Sequence, residues 1–152
     1  MKAVILDFNR TLFDPEKKEL VNGAKQLLNF FLVTGWKLGL ISVNSPERES
    51  FIKQISFYFD SIKLVKDKSK ETFIELLNEI SADPKSTIVI GDRIKEEISF
   101  GNQLGMQTFW IKTGKFSKEL AENKSEIPNF IFRDLNELRS FLNNNELMGD
   151  IK

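Results

Sequence analysis

Short apolar runs alternate along this chain with stretches in which apolar residues recur every three or four positions. Ala3 to Leu6 is the first run and reads as a buried strand that stops at Asp7. Asn9, Arg10 and Thr11 read as a turn, and 14–18 as a polar loop. Ala24, Leu27, Leu28, Phe31 and Leu32 then fall on one face of a helix, with Gly35 just past its end. A second apolar run, Trp36 to Val43, closes on small polar residues. Ser45-Pro46 marks the next helix start, with Phe51, Ile52, Ile55 and Phe59 on its apolar side.

The alternation continues. Ile62 to Val65 predicts a third strand, and Phe73, Ile74, Leu77 and Ile80 a third helix. Thr87 to Ile90 is continuous and apolar, as in a central parallel strand, and ends at Gly91-Asp92. A helix over 96–104 is stopped by Gly105, and Gln107 to Ile111 gives a fifth strand. Residues 115–126 read as a polar, mobile loop and Pro128 to Phe132 as a short extra strand. Asp134 caps a last helix carrying Leu135, Leu138, Phe141 and Leu142, and the final residues read as frayed. The pattern predicts one domain over 1–152: an α/β, doubly wound, Rossmann-like parallel five-stranded sheet with helices on both faces.

Composition narrows the chemistry. With no Cys and no His among 152 residues, thiolate nucleophiles, Ser-His-Asp triads and Cys- or His-ligated metals are excluded. Catalysis is left to carboxylates, lysines, hydroxyls and amides, and a metal, if used, is a hard, oxygen-bound cation such as Mg²⁺. Lys plus Arg and Asp plus Glu are both 22, so no global charge draws the chain to nucleic acid or an anionic membrane. No apolar run is long enough to span a bilayer and the first strand is no signal peptide, so the expectation is a soluble cytosolic protein; the pattern sets no oligomeric state.

Ligands of open α/β sheets bind beyond the carboxyl ends of the strands. Asp7, Ser42 and Asp92 end the first, second and fourth strands, and Lys66, Lys68 and Lys70 follow the third. Two carboxylates, a hydroxyl and an ammonium at one sheet edge suit a phosphate and a hard cation.

Asp7-Phe8-Asn9-Arg10-Thr11-Leu12 resembles the Asp-x-Asp-Gly-Thr-Leu signature of the haloacid dehalogenase-like (HAD) superfamily. Ile41-Ser42 is similar to its second motif, the lysine cluster lies where the third supplies a lysine, and Val89-Ile90-Gly91-Asp92 with Glu97-Ile98 resembles the fourth. The resemblance implies Asp7 as nucleophile and Mg²⁺ ligand, the Asn9 carbonyl and Asp92 as further ligands, and Ser42 and Lys68 on the phosphate. Lys66 and Lys70 are alternatives to Lys68, Asn44 shares or replaces Ser42, and Glu97 is an outer-shell acid or a plain exposed helix residue.

Two departures from the signature matter. Asn9 stands where the family's phosphatases carry the acid that protonates the leaving oxygen and then activates water. An amide does neither, and such help is worth about two to four powers of ten in rate. Arg10 replaces Gly; it either attracts an anion or pairs outward with an acid, and for Arg93 a structural ion pair is expected. Neither connection in which the family inserts its cap holds more than one helix, so no cap domain is expected. The implied function is a Mg²⁺-dependent phosphohydrolase-like protein, weakened by Asn9, acting on a phosphorylated small molecule or phospho-macromolecule. The alternative is an impaired module that binds a phosphorylated ligand or protein partner.

Overall fold

The computed structural model describes residues 2–144. Six parallel strands form one sheet: β1 (Ala3–Asp7), β4 (Lys37–Val43), β5 (Ser61–Val65), β6 (Thr87–Gly91), β7 (Gln107–Ile111) and β8 (Phe130–Phe132), in the order β5-β4-β1-β6-β7-β8. The sixth strand corrects the expected five: Phe130–Phe132 joins the sheet edge through a parallel register with Phe109 to Ile111. Between β1 and the first helix, β2 (Phe13–Asp14) and β3 (Glu19–Leu20) form a small antiparallel hairpin in place of the expected loop. Phe13 is pinned in the core beside Phe8 and Leu12, which is what folds this stretch back on itself. The expected fraying of the last residues lies outside the described residues.

The helices are α1 (Ala24–Thr34), α2 (Pro46–Ile55), α3 (Lys70–Glu79), α4 (Ser99–Leu104) and α5 (Leu135–Asn144). Successive side chains of a strand point to opposite faces. In β1, Val4 and Leu6 therefore join the core under α1, α2 and α5, while Ala3 and Ile5 join the one under α3 and α4. All five β1 residues are buried, as a central strand covered on both faces requires. Asp7 shares the alternation of Ala3 and Ile5, so it belongs to the α3 side of the sheet.

The caps follow the sequence in part. Gly35 and Gly105 end α1 and α4 in the left-handed conformation. Asp134 Oδ1 accepts from the Glu137 amide at the start of α5. Ser45 precedes α2 but its side chain caps nothing; Pro46 alone marks the start. Phe59 lies beyond α2, past a 3₁₀ turn over Ser56–Tyr58. The stretch 115–126, expected to be a mobile loop, contains two 3₁₀ turns and is tied down by ion pairs from Glu119 to Arg93 and from Glu122 and Glu126 to Lys95. Within the described residues neither the β1–α1 nor the β4–β5 connection carries a separate domain.

Candidate active site

β1 ends on Asp7 at the centre of the sheet, and the turn after it hangs on a single carbonyl. The amides of Thr11, Leu12 and Phe13 all donate to Phe8 O. This wraps the chain tightly enough to force Arg10 to φ 65, the left-handed region where a Gly is at home. The same turn brings the Thr11 hydroxyl to 3.1 Å from Asp7 Oδ2, fixing that carboxylate's rotamer. Asp7 is 2% exposed.

The other oxygen, Oδ1, accepts from Lys68 Nζ. Lys68 is on the β5–α3 connection, which is held by a reciprocal cap. The Thr72 amide donates to Ser69 Oγ at 3.3 Å, and the Ser69 amide donates to Thr72 Oγ1 at 3.1 Å. Of the three lysines considered, Lys68 is thus the one directed inward, with its side chain 7% exposed; Lys66 is exposed and Lys70 opens α3.

Glu97 is neither a plain exposed acid nor remote. The chain after β6 makes a π-helical turn, Ile94–Ile98, before α4. That turn directs the Glu97 side chain under Gly91, where a Cβ would lie 2.6 Å from Oε1. Glu97 is completely buried, with Oε2 3.3 Å from Lys68 Nζ. Asp92 is 2% exposed, and its main-chain carbonyl accepts from Trp110 Nε1 at 2.9 Å, which anchors the end of β6 to β7.

Carboxylate oxygens of Asp7, Asp92 and Glu97 all lie within 4.8 Å of one another. Burial, then the charge of Asp7, pushes the Asp92 carboxyl up to about 8. Burial and Asp7 likewise raise Glu97 well above the usual carboxylate range. For Lys68 burial works against the charged form, but Asp7 and Glu97 outweigh it and hold the ammonium above its ordinary value. Three acids with one neutralising lysine form a site short of positive charge. Asn9 Oδ1 and Glu97 Oε1 are buried acceptors with no hydrogen-bond partner among the described residues. An all-oxygen donor set with unsatisfied acceptors fits a hard divalent cation such as Mg²⁺.

Asp7, Asp92 and Lys68 open onto a cleft of about 320 Å³ that Asn9, Arg10, Val43, Arg48, Arg93, Glu96 and Lys115 also line, with Glu97 buried behind it. Of the residues expected at the site, Asp7, Asn9, Lys68 and Asp92 converge there. Ser42 is buried one position beyond the register partner of Asp7, and its hydroxyl donates to Val43 O at 3.2 Å; Val43 forms that part of the wall. Asn44 is exposed. Arg10 pairs with Glu16 at 2.8 Å, and Arg93 with Glu96 and Glu119, each at 3.2 Å. Arg48 and Lys115 were not legible as site residues: Arg48 reaches the cleft from the first turn of α2 and Lys115 from the turn after β7, with no motif to mark either. A larger hollow of about 590 Å³, between α4 and the approach to β8, has no acid in its lining, so the chemistry belongs to the smaller cleft.

A family model described as HAD-hydrolase-like matches residues 67–138, a segment of just under half the chain that carries Lys68, Asp92 and Glu97. The glyceraldehyde 3-phosphate phosphatase of Pyrococcus furiosus is 25% identical over 148 residues, covering 92% of this chain and 60% of the relative. The acid sugar phosphatase of Staphylococcus aureus is 31% identical over 64 residues, 42% of this chain and 25% of the relative. The chain spans about half the length of the curated relatives it matches. Among solved structures, a HAD phosphatase from Thermococcus onnurineus superposes with TM-score 0.77 at 15% identity, over 93% of this chain and 98% of its own. D,D-heptose 1,7-bisphosphate phosphatase from B. bronchiseptica, complexed with magnesium and phosphate, superposes with TM-score 0.76 at 15% identity, over 95% and 100%. The family model, the phosphatase relatives and the HAD phosphatase structures together support membership of the haloacid dehalogenase-like superfamily. No helix among the described residues is long and apolar enough to cross a membrane.

Proposed function

We propose that this protein is a phosphoester hydrolase in which Asp7 is the nucleophile and Asn9 limits turnover. The observation that carries this reading is the contact of Lys68 with Asp7, beside Asp92 and Glu97, at the carboxyl end of the central strand. Thr11 and Lys68 hold the two Asp7 oxygens in one orientation, so one of them is presented to a phosphorus atom entering the cleft. Its lone pair forms the new O–P bond as the bond to the leaving oxygen breaks.

Asp7, the Asn9 main-chain carbonyl and Asp92 would hold Mg²⁺, with Glu97 behind them. When bound, the ion neutralises charge on the phosphoryl oxygens and on the clustered acids. Lys68 supplies a further fixed positive charge beside the transferring group. The leaving alkoxide must take a proton, and water must then be activated to split the aspartyl-phosphate. Asn9 can serve neither step. Leaving groups that depart without a proton are therefore favoured, and the second step is slow.

The test is Mg²⁺-dependent phosphate release from a panel of phosphoesters by the unaltered protein, Asn9→Asp and Asp7→Asn. Activity that is raised by Asn9→Asp and abolished by Asp7→Asn is the expected pattern. Asn9 also favours a second reading, in which the domain retains a phosphorylated ligand or protein partner without cleaving it. Binding of phosphate with no release from any ester would select that reading.

A further inference from the structure

We infer that the cleft takes a substrate with a second anionic group, a carboxylate or second phosphate beyond the reacting one, held between Arg48 and Lys115. This rests on the phosphate-site reading above. Five cations line the cleft. Lys68 is committed to Asp7 and Glu97. Arg93 is committed to Glu96 and Glu119 and lies with its guanidinium 4.1 Å from the Phe116 ring centre. Arg10 is paired with Glu16.

Arg48 and Lys115 have no carboxylate partner among the described residues. Arg48 makes one long contact, 3.4 Å, to the Val43 carbonyl, and Lys115 Nζ rests 5.4 Å from the Phe116 ring centre. Arg48 arrives on α2 after β4, and Lys115 on the turn after β7, with β1 and β6 between those strands. The two unpaired cations thus enter from connections on either side of the strand end that carries Asp7. A single phosphate beside Asp7 would still lie next to the Lys68 ammonium, which keeps its charge between its two acids. A second anion is what an Arg and a Lys left without counter-charges at the wall of this cleft would recognise.

The test is calorimetric titration of the Mg²⁺-supplemented protein with non-hydrolysable phosphonates of matched length. Propylphosphonate has a neutral tail, 3-phosphonopropionate a carboxylate, and propane-1,3-diphosphonate a second phosphonate; inorganic phosphate is titrated alongside. At least one anionic-tailed ligand should bind about tenfold tighter than propylphosphonate, the scale of one added charge-assisted contact. Which of the two does so identifies the tail. In Arg48→Ala/Lys115→Ala that preference should collapse towards one. Equal binding of all three phosphonates by the unaltered protein, with inorganic phosphate bound, overturns the anionic-tail proposal alone. Failure to bind inorganic phosphate overturns the phosphate-site reading and this proposal together.

Discussion

Lys68 joins two acids at once: its ammonium donates to Asp7 and lies 3.3 Å from Oε2 of Glu97, with both carboxylates almost wholly removed from solvent. Removing one partner of such a buried group leaves uncompensated charge, at about 3–5 kcal/mol. Lys68→Met is therefore expected to lose about 3 kcal/mol or more in metal-free buffer at neutral pH, measured by urea unfolding. The loss should shrink when Mg²⁺ is added, because the ion supplies positive charge beside the same acids. A variant as stable as the parent would mean that Lys68 does not hold these acids together.

The raised carboxyls give a pH dependence of definite sign. The Asp92 value of about 8 in the folded protein lies above its usual 3.8, so the folded state holds the proton more tightly than the unfolded one. That contribution to stability is complete below the unfolded value and is lost as pH rises through the folded value. Metal-free protein should lose stability between about pH 4 and pH 8 on this account. Mg²⁺ needs the ionised acids, so its affinity should rise from about pH 6 to about pH 8, with proton release on binding. Titrations in buffers of different ionisation enthalpy would detect those protons. Affinity independent of pH, with no proton release, would contradict the assignment of Asp92 to the metal.

Arg10 departs from the family's Gly where the backbone is least suited to a side chain, at φ 65. A left-handed conformation costs a non-Gly residue about 1–2 kcal/mol. Its ion pair with Glu16 is surface-exposed on the Glu16 side and returns less than about 1 kcal/mol. Arg10→Gly should be neutral or stabilising by up to about 1 kcal/mol, whereas β-branched Arg10→Val should destabilise by more than about 1 kcal/mol. Thermal unfolding of the two variants separates them. A marked loss in Arg10→Gly would show that the guanidinium does more for the fold than this geometry implies.

The strand ends were legible because each buried apolar run stops abruptly at a polar residue, and the sheet then gathers those residues at one edge. Asp7, Asp92 and the lysine segment needed only that rule together with the resemblance. The sixth strand was half-legible: Phe130–Phe132 has the residue type, but its place in the sheet depends on the approach of 115–126, fixed by Glu119, Glu122 and Glu126. The burial of Glu97 was not legible. It depends on a π-helical turn and on the absence of a Cβ at Gly91, neither of which a helical hydrophobic pattern registers. The selection of Lys68 from three lysines rests on the Ser69–Thr72 cap, a signal present in the sequence as a Ser followed three residues later by Thr. Arg48 and Lys115 become neighbours of the site only when distant connections fold over one cleft.

In the proposed chemistry Asp7 attacks phosphorus while Asn9 withholds the groups needed to finish the cycle. Intact-protein mass spectrometry after brief exposure to p-nitrophenyl phosphate and Mg²⁺, followed by acid quench and peptide mapping, tests it directly, because that leaving group departs without a proton donor. The unaltered protein should accumulate a phosphoryl adduct on Asp7, Asn9→Asp should release phosphate with little adduct, and Asp7→Asn should show neither. Phosphate release by Asp7→Asn, or an adduct on any residue other than Asp7, would contradict the account.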